Sequence, residues 1–240
     1  MKKKICLVLG VILLLLSFSL ISSYFFLSKE SSIVLQNSTL NEVFNLVNEK
    51  EILKEKYSAL RKENNNTDIV GTLKIENTFE TLFTKTDNNT YYLNHLINKE
   101  ESSFGAPFMD FRSNISSGRQ INIYGHNSKK YDLPFRKLTF YLEQDFYERN
   151  KYITLENDDG IYNYEIFAVK IVNDNEHMKV LFEDDESFMS HLNILKENNL
   201  YEIDLVPKKD DQILILQTCL FDDERGSYLL ICAVKTKENI

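Results

Sequence analysis

The sequence contains no tryptophan and is poor in glycine, proline and cysteine. Its 7 Gly and 3 Pro among 240 residues exclude the collagen-like and low-complexity classes of protein. Its 3 cysteines are too few for a disulfide framework, although Cys219 and Cys232 could pair with each other. The 16 Phe and 13 Tyr can fill a sizeable core without Trp, and the length suits one domain plus a tether.

Positive charge is also scarce, since 28 Lys and Arg oppose 36 Asp and Glu for a formal net charge of -8. A nucleic-acid-binding protein usually has the opposite balance, so this class is not indicated. Three histidines, His95, His177 and His191, lack metal-ligand spacing and are expected at the surface. The acidic run at 222–224 is interpreted as a solvated loop, because one run of acids rarely forms a full oxygen cage. We therefore predict no metal and no cofactor.

The N-terminal region has the pattern of a membrane anchor. Residues 1–4 include three lysines and precede an uncharged apolar segment, residues 5–27. At roughly 1.5 Å rise per residue, such a segment can span a hydrocarbon core of about 30 Å. Because the basic residues precede the span, residues 1–4 are expected in the cytoplasm and the rest of the chain outside the cell. Small residues over 17–23 leave a cleaved signal peptide as the alternative, but the segment is longer than a usual h-region.

Between this segment and the main domain we predict a linker and a helix. Residues 28–38 are polar, and residues 39–66 form the predicted N-terminal helical segment. Thr39 and Glu42 have the spacing of a capping box. Apolar residues then recur close to helical spacing, at Leu40, Val43, Phe44, Val47, Leu53, Tyr57 and Leu60. The helix is interpreted as a support between membrane and domain, or simply as a helix packed on a sheet.

From residue 67 to residue 240 the pattern changes to short β-like runs, which predict a mainly antiparallel β-domain. The predicted strands cover Ile69–Ile75, Thr81–Thr84, Gly105–Phe111, Gln120–Tyr124, Tyr152–Glu156, Tyr162–Ile171, Leu214–Thr218 and Tyr228–Lys235. Apolar residues at helical spacing predict two helices, Leu133–Asn150 and Glu183–Asn199. Cys232 lies in the last apolar run and is interpreted as a buried, inert thiol.

Two reactive side chains follow apolar runs. His126 belongs to Tyr-Gly-His-Asn, residues 124–127, and Cys219 ends Leu-Gln-Thr-Cys, residues 216–219. A thiol attacks a carbonyl only as thiolate, so an imidazole that stabilises the thiolate and protonates a leaving amine would complete a nucleophilic pair. Arg225 or a backbone N–H near Cys219 could hold the oxyanion. In papain-like and NlpC-type peptidases Cys precedes His, whereas here His precedes Cys.

These two segments and Arg225 resemble the His segment, the T-L-x-T-C segment and the downstream Arg of the sortases, most closely those of class B. The resemblance covers about residues 40–236, with further class B-like stretches at 70–75, 89–94, 108–112 and 164–169. Three positions depart from the family pattern. Ile215 replaces the first Thr of T-L-x-T-C, and Thr72 stands where Trp is frequent. Tyr228 stands where the family Arg usually opens the last strand, three residues after Arg225, although Gly226 would permit a bulge that re-aims Arg225.

The resemblance implies a sortase-type eight-stranded β-barrel over residues 67–240, with an N-terminal helical segment and a helix between the sixth and seventh strands. It implies that Cys219 attacks the bond after Thr in a C-terminal sorting motif, that His126 protonates the leaving group and that Arg225 holds the oxyanion or orients the substrate. The thioacyl intermediate would then pass to an amine of peptidoglycan or of a pilin, outside a Gram-positive cell. The implied substrate-binding residues are Asn127, Gln217, Thr218 and Tyr228.

Two alternatives to this function remain open at this point. One is a non-catalytic surface module with a sortase fold that binds peptides, which the departures at Ile215 and Arg225 favour. The other is a plain thiol peptidase, which would hydrolyse its substrate without any gain from an added amine.

Overall fold

The structure, a computed structural model, describes residues 45–173, 178–220 and 226–236. By its contacts the chain divides into two compact units, Met1–Lys50 and Glu51–Ile240. Of the first unit only the helical residues 45–50 are described, so the predicted anchor, the linker and the capping box lie outside the described residues. Among the residues that are described, none of the helices is both long and apolar enough to cross a membrane.

The second unit is built on eight strands: β1 Ile69–Ile75, β2 Phe79–Thr84, β3 Phe108–Met109, β4 Gln120–Tyr124, β5 Tyr152–Asn157, β6 Gly160–Val172, β7 Ile213–Cys219 and β8 Tyr228–Lys235. They form a closed barrel in the order β1-β2-β3-β4-β7-β8-β6-β5. Neighbouring strands pair antiparallel, except β2 with β3 and β4 with β7, which pair parallel. The predicted mainly β fold with an eight-stranded barrel is therefore confirmed.

Helices lie before and between these strands: α1 over residues 45–63, α2 over Gln144–Arg149 and α3 over Asp185–Lys196, with 3-10 helices at Tyr91–Leu93 and Pro134–Leu142. Helix α3 confirms the predicted helix between the sixth and seventh strands. The single helix predicted over Leu133–Asn150 is wrong, because Glu143 adopts an extended backbone (φ -103°, ψ 122°) that separates the longer 3-10 helix from α2. The buried residues of that 3-10 helix, Phe135, Leu138 and Tyr141, repeat every three residues, which is its natural period.

Strands β7 and β8 carry unbroken apolar runs because both of their faces are buried. On one face, Leu214 and Leu216 pack with Leu229 and Ile231 in the barrel interior. Helix α3 covers the other face. The residues packed there are Ile213, Ile215, Leu230, Cys232, Phe188, Leu192 and Leu195. Cys232 is a free, buried thiol whose pKa is raised to about 12 by burial, so it is the inert residue that the sequence predicts and is not paired with Cys219.

Helix α1 is held to β1 and β5 by the side chain of Tyr57, which is fully buried. The Tyr57 hydroxyl lies 2.8 Å from Thr72 Oγ1 and 2.9 Å from Glu156 Oε1. Leu53, one turn earlier, packs with Tyr57 against Ile69. This contact packs the part of α1 around Leu53 and Tyr57 against β1.

Replacing Tyr57 with Phe is expected to lower the free energy of unfolding by about 1 kcal/mol, because the Thr72 and Glu156 groups lose a buried partner while the ring packing is kept. Urea unfolding at pH 7 measures the change. The matched control is Tyr152→Phe, since Tyr152 is largely exposed and its hydroxyl should matter little. Equal losses in the two variants would contradict a specific role for the Tyr57 hydroxyl.

Candidate active site

The carboxyl ends of β4 and β7 lie side by side, because the two strands pair in parallel with Tyr124 opposite Gln217. Cys219 ends β7, and His126 follows the end of β4 by two residues. Both side chains line a pocket of about 260 Å³. The other predicted site residues that line it are Gln217, Thr218 and Tyr228. The structure thus brings together five of the seven residues that the sequence predicts for the site.

The remaining two predicted residues are Asn127 and Arg225. The side-chain amide of Asn127 donates a hydrogen bond to Cys219 O at 2.8 Å. Asn127 therefore ties the end of β7 to the segment that carries His126. Arg225 lies outside the described residues, which end at Leu220 on one side of it and resume at Gly226 on the other.

The glycine before His126 is required by packing. Atoms of the Phe135 ring lie 2.4–2.7 Å from where a Cβ on Gly125 would sit, so no side chain fits at this position. The backbone of Gly125 also holds the neighbouring strand. Its carbonyl oxygen accepts from Thr218 Oγ1 at 2.8 Å, and its N–H donates to Gln217 O at 3.2 Å. These contacts fix the His126 segment against the Cys219 segment.

The imidazole of His126 is oriented by Leu93 O, which lies 2.9 Å from Nε2. A carbonyl oxygen only accepts, so Nε2 carries a proton and Nδ1 is the nitrogen that can exchange one with a reactant. Gly105 packs against the ring with φ +58°, and a Cβ there would lie 2.9 Å from His126 Cδ2. Glycine at this position allows both the left-handed backbone and the close approach to the ring.

The Cys219 thiol is partly buried, and this burial raises its pKa above the ordinary value of 9.0. In the unliganded site the neutral thiol is therefore the main form at pH 7. The thiolate, which is the nucleophile, forms in quantity only when a base takes the proton.

Alkylation of Cys219 by iodoacetamide is accordingly expected to accelerate with pH without a plateau below about pH 9, since the thiolate fraction grows about tenfold per pH unit below the pKa. Mass spectrometry of time courses between about pH 6 and pH 10 measures the rate at this residue. The Cys219→Ala protein reports any background labelling of the other cysteines. A plateau reached by about pH 7 would contradict the raised pKa.

A buried carboxylate holds another part of the pocket wall. Asp110 is fully buried and accepts hydrogen bonds from Asn89 Nδ2 at 2.8 Å and from Tyr124 OH at 2.9 Å. It also accepts from Arg112 Nε at 2.9 Å and from Arg112 Nη2 at 2.7 Å. The same Nη2 donates to Met178 O at 3.0 Å. Asn89, Tyr124 and Met178 line the pocket, so one carboxylate joins three parts of its wall.

The pKa of Asp110 reflects these contacts. Burial alone would raise this pKa, but the hydrogen bonds from Arg112, Tyr124 and Asn89 outweigh burial and hold it below the ordinary 3.8. Asp110 is a site residue that the motifs did not indicate. Its sequence signal was a charged residue directly after the apolar pair Phe108–Met109 and two positions before Arg112. The strand predicted over Gly105–Phe111 is correspondingly shorter, because the backbone turns at Asp110 and Ser113 N donates to Asp110 O at 3.0 Å.

Polar side chains of β4 continue from this carboxylate to α3. Asn122 Nδ2 donates to Tyr124 OH at 3.3 Å, and Gln120 Nε2 donates to Asn122 Oδ1 at 2.9 Å. His191 Nε2 lies 2.8 Å from Gln120 Oε1. The expected surface position of His191 is wrong, since its side chain is buried against Gln120. The three β4 residues share one face because alternate residues of a strand point the same way.

Comparisons with known proteins decide the family. A family model described as the sortase domain matches residues 85–235. This chain belongs to the sortase family. It is 28% identical to sortase B of Staphylococcus aureus (strain NCTC 8325 / PS 47) over 218 residues, which cover 88% of this chain and 86% of that protein.

Solved structures give the same answer for the fold. The crystal structure of Clostridium perfringens sortase B matches with a TM-score of 0.70 at 27% identity, covering 75% of this chain and all of that one. A Staphylococcus aureus sortase B–substrate complex matches with a TM-score of 0.67 at 26% identity, covering 79% of this chain and 95% of that one. The protein is thus a class B-like sortase, and sortases are cysteine transpeptidases associated with the cell surface.

Two departures of this sortase from the class B pattern lie away from the pocket. Ile215 is fully buried in the cluster beneath α3. Thr72 lies beneath α1, where its hydroxyl meets Tyr57. Both residues pack the barrel against its helices, and neither of them lines the pocket.

Proposed function

We propose that this sortase cleaves a C-terminal sorting motif after Thr and transfers the protein to an amine through a thioacyl intermediate on Cys219. The observation that carries the proposal is the placement of Cys219 and His126 in one pocket at the ends of two parallel strands. The alternative of a non-catalytic peptide-binding module rests on the departures at Ile215 and Arg225. It is less favoured, because Ile215 lies in the cluster beneath α3 and the pocket with Cys219 and His126 forms without it.

The proposed reaction uses the two side chains in turn. His126 Nδ1 takes the thiol proton, and the Cys219 sulfur attacks the carbonyl carbon of the Thr residue. The C–N bond then breaks, and the imidazolium returns the proton to the departing amine. In the second half an incoming amine attacks the thioester and gives its proton to His126. The C–S bond then breaks, and the imidazolium passes this proton to the departing sulfur to restore the thiol. One base thus serves both half-reactions.

The oxyanion in this scheme is assigned to Arg225. The N–H that follows the nucleophile, that of Leu220, already donates to Ser227 O at 2.8 Å. This bond favours a side-chain donor over that backbone donor. In sequence Arg225 lies between Leu220 and Ser227, whose backbones are hydrogen-bonded next to the paired residues Cys219 and Tyr228. A guanidinium at this point of the sequence would supply charge-assisted hydrogen bonds to the developing negative charge.

The proposed substrate is the sorting motif of a surface protein, and the proposed acceptor is an amine of peptidoglycan or of a pilin. A Staphylococcus aureus sortase B of the same fold forms a substrate complex. Residues 67–240 would form the catalytic domain, and residues 5–27 would hold it at the outer face of the cell membrane. Gln217, Thr218 and Tyr228 would contact the motif, while Asn127 would position the nucleophile.

The test is to incubate the protein with a library of fluorogenic peptides in which Thr precedes Gly or Asn, with and without triglycine. We expect cleavage, a mass adduct of the acyl group on Cys219, and a triglycine-linked product. A bound peptide with neither cleavage nor adduct would instead identify the non-catalytic module. Hydrolysis without any amine-linked product would identify a plain thiol peptidase.

A further inference from the structure

Two aromatic side chains from different loops contact each other in solvent beside His126. Phe104 is 38% exposed and Tyr131 is 43% exposed. Their ring centroids lie 4.6 Å apart at an interplanar angle of 62°. Neither ring belongs to a core cluster among the described residues. We call Phe104 and Tyr131 the aromatic pair.

The backbone on both sides of the aromatic pair is held in turns. Phe104 N donates to Ser102 Oγ at 3.3 Å, and the next N–H, that of Gly105, donates to Ser102 O at 3.1 Å. Tyr131 N donates to Ser128 Oγ at 3.1 Å. Both rings are therefore presented from ordered loops, at a low entropic cost for binding a ligand.

The aromatic pair is linked to His126 through Gly105. Gly105, the residue after Phe104, packs so closely that a Cβ there would lie 2.9 Å from His126 Cδ2. Cys219 and His126 line the pocket, whereas Phe104 and Tyr131 do not. His126 thus lines the pocket and also lies against the residue that follows Phe104, which places the aromatic pair near His126 but outside the pocket lining.

We propose that the aromatic pair binds the acceptor, a peptide that bears a primary amine, as it approaches the acyl-enzyme. This inference rests on the proposed function. The acyl part of the substrate occupies the pocket on the Cys219 side, and the incoming amine must reach His126 to give up its proton. The aromatic pair is exposed to solvent near His126 and lies outside the pocket assigned to the acyl part, so it is available to the incoming peptide.

The chemistry of the rings suits such an acceptor. A free amine at neutral pH is mainly an ammonium ion, and aromatic ring faces attract cations. Lys130 Nζ already lies 5.3 Å from the centroid of the Tyr131 ring, so this ring does accommodate an ammonium group. Peptide backbone behind the amine can stack on the second ring, as peptide ligands do on rigid aromatic anchors.

The test compares the wild-type protein with the Phe104→Ala, Tyr131→Ala double variant, using the best-cleaved peptide of the library and increasing triglycine. We expect the triglycine concentration for half-maximal product to rise about tenfold, because two aromatic contacts are lost. Acylation of Cys219 and hydrolysis without triglycine should stay within about twofold, because the pocket itself is unchanged. Tyr131→Phe should keep the wild-type dependence on triglycine.

The matched control is Phe140→Ala, which removes another exposed aromatic ring, from the longer 3-10 helix, and should leave the triglycine dependence unchanged. Normal acylation with an unchanged triglycine dependence in the double variant would overturn the assignment of the aromatic pair alone. A loss of acylation as large as the change in triglycine dependence would also overturn it, because the rings would then contact the sorting motif. Failure of the wild-type protein to form any acyl-enzyme would overturn the proposed function instead, and this inference with it.

Discussion

Replacing Cys219 with Ala is expected to abolish cleavage of sorting-motif peptides, with a loss of about 10⁴-fold or more in rate. The variant keeps the pocket and His126 but has no atom that can form the thioester. Residual binding and polarisation cannot replace a covalent step. The measurement is product formation by chromatography over hours at high enzyme concentration, together with the mass of the protein after incubation.

The matched control for this variant is Cys232→Ala. Cys232 is the other described cysteine, and it lies buried beneath α3, away from the pocket. We expect that variant to keep its acyl adduct and its rate within about threefold, at a modest cost in stability. Cleavage by the Cys219→Ala protein at more than about 1% of the wild-type rate would assign the nucleophile to another residue.

Replacing Asp110 with Ala is expected to lower the free energy of unfolding by about 3 kcal/mol, because it leaves the buried partners of the carboxylate unpaired. The groups that lose their acceptor are Arg112, Tyr124 and Asn89. Urea unfolding at pH 7 measures the loss. Asp185→Ala is the control, since Asp185 is half-exposed in its ion pair with Lys209 and its loss should cost much less stability than the loss of Asp110.

The effect of pH on the Asp110→Ala protein follows from the sign of the pKa shift. The folded-state pKa of Asp110 lies below its ordinary value, so this carboxylate stabilises the fold above the unfolded pKa of about 3.9. That contribution disappears as pH falls through the lower folded-state pKa. The wild-type protein should therefore lose more stability than Asp110→Ala between about pH 5 and pH 2. A constant difference between the two proteins over this range would contradict the assignment.

The strands and the pair of reactive side chains could be predicted because each has a local signal. Strands β1, β4 and β8 begin and end as predicted, since apolar β-branched and aromatic runs stop at polar turns. The Cys219 and His126 segments are recognisable because nucleophilic catalysis needs a thiol and an imidazole, and few other residues can take their place. In this chain the His126 segment precedes the Cys219 segment. This order excludes the papain-like enzymes, in which Cys precedes His, and is compatible with the sortases.

The features that escaped prediction depend on contacts between distant residues. The 3-10 helix packs Phe135 against Gly125, a contact that the local helical spacing does not indicate. Asp110 gains its role from Asn89 and Tyr124, which lie in other segments. His191 is buried because Gln120, 71 residues away, offers it a partner. Local composition can mark Asp110 as unusual, but it does not indicate any of these long-range pairings.

The place of β8 in the barrel has a consequence for the order in which the protein folds. This strand is the last of the eight in sequence, yet it lies between β6 and β7. Until it arrives, β7 has no partner on that side and the barrel stays open. Contacts between distant segments form slowly, so closure is expected to be a late event. A chain synthesised from its N-terminus therefore completes the site around Cys219 only when its final strand, which carries Tyr228, is in place.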